Sequence, residues 1–410
     1  MSEPATTESK ARGRGDGGAP RPAPAEQRKV FRSVTALIAG DTALFTLVIP
    51  ALPLFQDRYD LSDAAVVLIF GIFPLTQLLT TIPLATMIDR TGRRPVMIVG
   101  ALALLASTLG FALVDTVPLL LLTRAITGSA AALVWTAGIA AISDVYPQSQ
   151  LGFRLGLAET VGGGIGLIGP VAGGALIELI GTDEAFMVAT IIPVLLLVMA
   201  LRVPETVRAA SAAPPLLQAL ARLWTRPEAK AGLLSLVAFA GTLAIVDSLL
   251  PLDLDERLDA STATIGVVFG TGFAGLAVFA PIAGAWSDRH GRRPALLAGG
   301  LLSAASLPLI GIGPIWLVTL GFFLLGCGLA TLAAPASPLV VLAADRSGME
   351  GMYGITAGTI NLVFALGYVL GPVLGAASAL ALPLSVVTFV AAALVLAGAL
   401  ACYRLLPAGR

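Results

Sequence analysis

Twelve runs of about 20 mostly apolar residues divide this chain, and that is the length a helix needs to cross the hydrocarbon core of a bilayer. Cut at charge clusters and turn signals, the runs are 33–55, 65–87, 95–114, 117–143, 152–180, 185–203, 231–252, 263–286, 294–313, 314–344, 350–379 and 382–405. With 57% hydrophobic and only 12% charged residues, the chain cannot clothe a water-soluble surface. The pattern predicts an all-α, multi-pass membrane protein of twelve transmembrane helices. The remaining composition removes several chemistries. Cys327 and Cys402 both fall in apolar runs, against a disulfide scaffold or a thiolate metal site. The single histidine, His290, lies in a basic loop, which argues against histidine catalysis and multi-histidine metal binding. No Gly-x-x-x-x-Gly-Lys-Ser/Thr loop occurs, so ATP is not the expected energy source. No cofactor, metal or nucleic-acid partner is expected.

Residues 1–30 mix Lys10, Arg12, Arg14, Arg21, Arg28 and Lys29 with Gly, Pro, Ala and Ser and read as a disordered tail, with no cleavable signal ahead of helix 1. Residues 204–230, with Pro204, Pro214, Pro215 and Pro227 among basic residues, read as a linker between halves 31–203 and 231–410. Placing the N-terminus inside leaves only Arg58, Arg124 and Arg257 of the 25 basic residues in outer loops or within a span. Both termini, tail and linker are therefore expected in the cytoplasm. The outer loops are acidic, with Asp57, Asp60 and Asp63 after helix 1 and Asp253, Asp255, Glu256 and Asp259 after helix 7.

The two halves repeat. Asp89-Arg90-Thr91-Gly92-Arg93-Arg94-Pro95 recurs as Asp288-Arg289-His290-Gly291-Arg292-Arg293-Pro294; Leu52-Pro53 recurs as Leu250-Pro251, and Gly169-Pro170 as Gly371-Pro372. Six helices per copy is an even number, so the copies are parallel six-helix bundles related by an axis along the membrane normal, with a cavity expected between them near the midplane.

The Asp-Arg-x-Gly-Arg-Arg loop between helices 2 and 3, echoed between 8 and 9, resembles the signature loop of the major facilitator superfamily. Helix 5, with Gly162, Gly166 and Gly169-Pro170-x-x-Gly173-Gly174, resembles the antiporter motif of its twelve-helix drug:proton exporters, and Arg124-x-x-x-Gly128 resembles their proton-coupling motif. Helix 1, from Gly40-Asp41-Thr42 to Ile49-Pro50-Ala51-Leu52-Pro53, is most similar to vesicular monoamine transporters. Against those transporters, Asp247 replaces a Glu, Phe73 stands at a helix 2 Lys, Ala333 or a neighbour at a helix 10 Asp, and Asn361 at a helix 11 Asp; Ala85 replaces the first Gly of the loop, which Gly284 keeps. The resemblance implies a proton-coupled antiporter exporting small lipophilic, cationic organic compounds by alternating access. It further implies a monomer in the bacterial cytoplasmic membrane. The alternative is a proton-driven symporter importing a small nutrient or metabolite.

A charge at the centre of a spanning helix costs roughly 2.5–3.5 kcal/mol on insertion scales, so each one is a candidate for function. At about 1.5 Å per residue, Asp41 lies roughly 13 Å beyond Arg32 and Arg124 roughly 13 Å beyond Asp115, which predicts that the two meet near the midplane. A carboxylate in an apolar cavity can hold a proton and release it when a cation arrives, and Phe45, one turn on, can offer its ring face to that cation. Asp247 is expected in the outer third, as a binding, gate or wet rim residue, and Glu159 in the inner third. Asn361, Phe364 and Tyr368 share one face of helix 11 as a candidate cavity wall; Trp135 and Gln77 are further cavity candidates. For gating, Gly92 and Gly291 make turns, Arg90, Arg93, Arg289 and Arg292 fix topology, and Asp89 or Asp288 could pair across the halves in one state only. Gly162, Gly166, Gly169, Pro170 and Gly173 are expected to form a tight contact between the halves.

Overall fold

The computed structural model describes residues 23–206, 215–350, 352–379 and 382–406. Among them are 12 helices long and apolar enough to cross a membrane. These are α1 Pro24–Tyr59, α2 Asp63–Thr91, α3 Arg93–Leu113, α4 Val117–Val145, α5 Gln148–Ile180 and α6 Thr182–Arg202, then α7 Pro227–Leu258, α8 Thr262–His290, α9 Arg292–Ile312, α10 Ile315–Asp345, α11 Tyr353–Ala379 and α12 Leu384–Leu405. Within α1 a single turn of tighter helix, Ile49–Ala51, joins Pro24–Leu47 to Leu52–Tyr59, because Pro50 and Pro53 remove two of the N–H donors that a continuous helix needs.

Two expected boundaries move. The first helix begins at Pro24, so residues 24–30 are helical rather than part of a tail; residues 1–22 lie outside the described ones. A proline at the first helical position loses nothing, since that N–H has no partner inside the helix. The expected linker contains a further helix, Leu216–Leu223, which buries Ala219 and Leu223 on the second half, and α7 begins inside it at Pro227. Residues 207–214 of that linker also lie outside the described residues.

The repeat seen in the sequence is a repeat of local conformation. Asp60 and Asp259 end α1 and α7 in the left-handed region, at φ 48° and 49°. Ser62 and Ser261 then cap α2 and α8, each accepting a backbone N–H at 3.4 Å. Gly92 and Gly291 turn the chain into α3 and α9 at φ 85° and 97° with extended ψ, a conformation open essentially to glycine alone.

Odd-numbered helices run from an arginine-rich end to an acidic end and even-numbered ones return, so both ends of the described chain lie on the basic side. The halves pack through α2 against α11 and α5 against α8. Hydrogen bonds cross between them from Gln56 to Glu256 at 3.4 Å, from Thr262 to the Gly174 carbonyl at 3.2 Å, and from the Ala263 N–H to Glu178 at 3.0 Å, and the Ser261 side chain also bonds Glu178. All of these lie at the acidic end. Beside them Ala64 and Val67 of the first half pack with Ile245, Leu249 and Ala376 of the second in one apolar cluster. The molecule is closed at that end.

Candidate functional site

Asp41 sits mid-way along α1, 4% exposed, where the Trp135 indole N–H of α4 donates to its Oδ2 at 2.9 Å. Its Oδ1 is buried and has no hydrogen-bond partner. One turn further along α1, the Phe45 ring stands 4.6 Å from Phe73 and 5.8 Å from Phe70 on α2, and 6.0 Å from Tyr368 on α11 of the other half. Tyr368 stacks on Phe364 at 5.5 Å and Phe364 lies 5.8 Å from Phe239 on α7. An aromatic chain thus crosses the molecule from one half to the other. The Tyr368 hydroxyl donates to Asp247 Oδ2 at 2.5 Å, and Asp247 Oδ1, like Asp41 Oδ1, is buried without a partner.

Asp41 and Arg124 do not meet. Arg124, 1% exposed, lies with its guanidinium carbon 5.0 Å from the Phe70 ring centre and 5.5 Å from that of Phe73, and donates from Nη2 to the Phe70 carbonyl at 3.3 Å. Its Nε and Nη1 have no hydrogen-bond partner. Trp135 follows Arg124 by three helical turns, so both occupy one face of α4 but about 16 Å apart along its axis. Asp41 is level with the tryptophan, not the arginine. The depth estimate failed because α1 and α4 both overrun a 20-residue span, so Arg32 and Asp115 do not mark one bilayer's two faces.

Of the other candidates, Asp247 is no wet rim residue, being fully buried on α7 with Tyr368. Asn361 is half-buried on the face of α11 that carries Phe364 and Tyr368, and among the described residues its side chain makes no hydrogen bond. Gln77 is half-buried on α2. The side chains of Glu159 and Asp89 lie outside the described ones.

The helix 5 glycines divide between two neighbours. A methyl group at Gly162 would lie 3.1 Å from Ile38, at Gly169 it would strike Thr46 and the Ala43 carbonyl, and at Gly173 it would lie 2.9 Å from Leu47; all of these are on α1, in the same half. Gly166 faces both Thr42 of α1 and Phe273 of α8. The contact between halves is made instead by Gly174 against the Thr262 carbonyl, Gly266 against the Pro170 carbonyl, and Gly270 against Val171. The contact between the halves lies one helical face away from most of the motif glycines.

The loop after α2 is tied within its own half. Arg93, 5% exposed, pairs with Asp144 at the end of α4 at 2.8 Å, and the Arg93 N–H at the start of α3 donates to Glu205 at 2.7 Å. Arg90, Asp288 and Arg289 are exposed and Arg292 half-buried, and none of the four makes an ion pair among the described residues. In the state closed at the acidic end, Asp288 does not pair across the halves. Sequence reasoning missed Asp144 and Glu205. Asp144 is the only acid on α4 and stands among basic loops, which was its signal; Glu205 sits in a proline-rich stretch and offered none.

The chain matches the family model described as Major Facilitator Superfamily twice, over residues 34–254 and 232–410. It is 24% identical over 372 residues to the human protein named MFS-type transporter SLC18B1, spanning 85% of this chain and 80% of that one. It is 30% identical over 162 residues to Multidrug resistance protein 1 of Bacillus subtilis, spanning 39% of this chain and 41% of that one. Among solved structures it resembles a bacterial homologue of the human lysosomal transporter Spinster, with a TM-score of 0.75 at 16% identity over 94% of this chain and 98% of that one. That likeness shows a shared fold.

Proposed function

The chain belongs to the Major Facilitator Superfamily and is a multi-pass secondary transporter, not an enzyme, and from that premise we propose that it is a proton-coupled antiporter exporting lipophilic organic cations. The observation that carries this reading is Asp41, a buried carboxylate in the first half with one oxygen held by Trp135 and the other free, beside an aromatic chain that reaches into the second half. A carboxylate in that setting can exchange a proton for an organic cation, and the rings supply apolar area and cation–π attraction to a lipophilic one. Among the described residues Arg124 pairs with no carboxylate, which supports a division of labour in which the acid carries the exchangeable charge and the arginine is a fixed one. The name of the Bacillus relative supports a broad range of substrates. The asymmetric distribution of Lys and Arg supports a cytoplasmic basic end.

In proteoliposomes, a pH gradient acid on the acid-rich side should drive a lipophilic cation such as tetraphenylphosphonium toward that side. Asp41→Asn, which imitates the protonated acid and removes a costly charge, should insert normally and lose gradient-driven movement. Transport indifferent to the gradient, or an Asp41→Asn chain with wild-type coupling, rejects the reading.

A further inference from the structure

Asp41 and Asp247 share a plan, in which one carboxylate oxygen is held by an aromatic donor and the other is buried and free. The donors differ in what they allow. An indole N–H can only donate, whereas a phenol can donate or accept. Asp247 can therefore keep its bond to Tyr368 whichever of its oxygens is protonated. Asp41 keeps a strong bond only while Oδ2 is unprotonated, because the Trp135 N–H at 2.9 Å has nothing to accept with and a carboxyl hydroxyl is a poorer acceptor than the carbonyl or carboxylate oxygen. A carboxylate with only a structural task would have both oxygens satisfied, as buried polar groups almost always are.

We propose that Trp135 is a positioning residue, one that holds Oδ2 of Asp41 as a permanent acceptor and so assigns the exchangeable proton or substrate cation to Oδ1. The inference deepens the exchange reading and rests on it. No other group competes for Oδ2 among those described. The charged side chains on helices packed against the Pro24–Leu47 segment of α1, which carries Asp41, are Arg93 and Arg94 on α3, Arg124 and Asp144 on α4, Arg154, Glu159 and Glu178 on α5, and Asp183, Glu184 and Arg202 on α6. Arg93 and Asp144 pair together, Arg94 donates to the Leu201 carbonyl, Arg124 lies on Phe70 and Phe73, Arg154 lies on the Phe31 and Tyr146 rings, Glu178 accepts from Ala263, and Asp183 pairs with Arg58. Glu184 and Arg202 stand at the two ends of α6, and Glu159 has its own arm in the test.

Two measurements test this. With Trp224, Trp286 and Trp316 changed to Phe, Trp135 is the only indole, and its emission should follow a single pH transition that vanishes in Asp41→Asn and survives Glu159→Gln. A flat response, or a transition that persists in Asp41→Asn, overturns the proposal. In the full-length transporter, Trp135→Phe keeps a ring but loses the donor; the pH profile of tetraphenylphosphonium exchange should move by about one unit, equivalent to about 1.4 kcal/mol of differential interaction, with the melting temperature little changed. A merely structural tryptophan would lower the melting temperature and leave the profile in place, which also overturns it. If the indole reports Asp41 but Asp41→Asn still couples to the gradient, the exchange reading has failed and the positioning has not.

Discussion

Arg124 is a buried cation met, among the described residues, by two ring faces and one carbonyl rather than by a carboxylate. That arrangement depends on the planar guanidinium, which stacks on rings and donates in its own plane, whereas an ammonium is a compact charge that binds water strongly. Arg124→Lys should therefore be far from conservative, with an assembled protein whose exchange rate falls about tenfold or more, the loss of about 1.4 kcal/mol or more of stabilisation along the cycle. Exchange rates in proteoliposomes beside the elution profile in detergent would measure it; a wild-type rate would mean that the charge alone matters. The sequence disclosed that Arg124 and Asp41 lie within the membrane, since charges in apolar runs are conspicuous. It did not disclose their partners. Depth along a helix follows from counting, but direction around the axis does not, and Phe70 and Phe73, three residues apart on α2, look like any packing pair until Arg124 is seen above them.

Among the elements, α5 carries glycines that serve two interfaces, and substitution should separate them. Adding side-chain carbons to a packed interior costs about 1–3 kcal/mol. In Gly169→Leu the new carbons press on Thr46 and Ala43 of α1, which belongs to the same half as α5, so the melting temperature should fall while the balance of states is kept. In Gly174→Leu they press on Thr262 of the other half, which separates from α5 when the acidic end opens. Here about 1.4 kcal/mol moves the population tenfold toward the open acidic end. Accessibility of cysteines placed on each side, read with melting temperatures, distinguishes the two; equal shifts in both variants would show that α1 and α5 move apart as well. The span count, the repeat and the small-residue character of α5 were all legible, because apolar runs, duplicated motifs and glycine spacing are properties of a line of letters. Which neighbour each glycine meets was not, since positions 162, 169 and 173 and position 174 differ only by rotation about the helix.

For the molecule as a whole, the closed acidic end holds opposed forces. Hydrogen bonds and the apolar cluster around Leu249 join the halves there. Across the same seam like charges face one another, with Asp57 of the first half acting on Asp255 of the second, and Asp63 on Glu256. A transporter must visit both of its states, so a seal that also carries repulsion is one that can be opened. The basic end offers no counterpart to that seam among the described residues, where Arg93 and Arg346 pair with Asp144 and Glu228 of their own halves. Removing the repulsion should therefore favour closure. In a chain with Cys327 and Cys402 changed to Ala and a single cysteine introduced by Leu249→Cys, the double change Asp255→Asn with Glu256→Gln should slow labelling from the acidic side by about two- to fivefold at low salt, the range expected of exposed charge pairs. Because the Debye length shrinks from about 30 Å at 0.01 M to about 3 Å at 1 M, the difference should disappear at high salt. A difference that persists at 1 M would mean that the two side chains act by packing, and faster labelling at low salt would mean that the acids hold the seam shut rather than strain it.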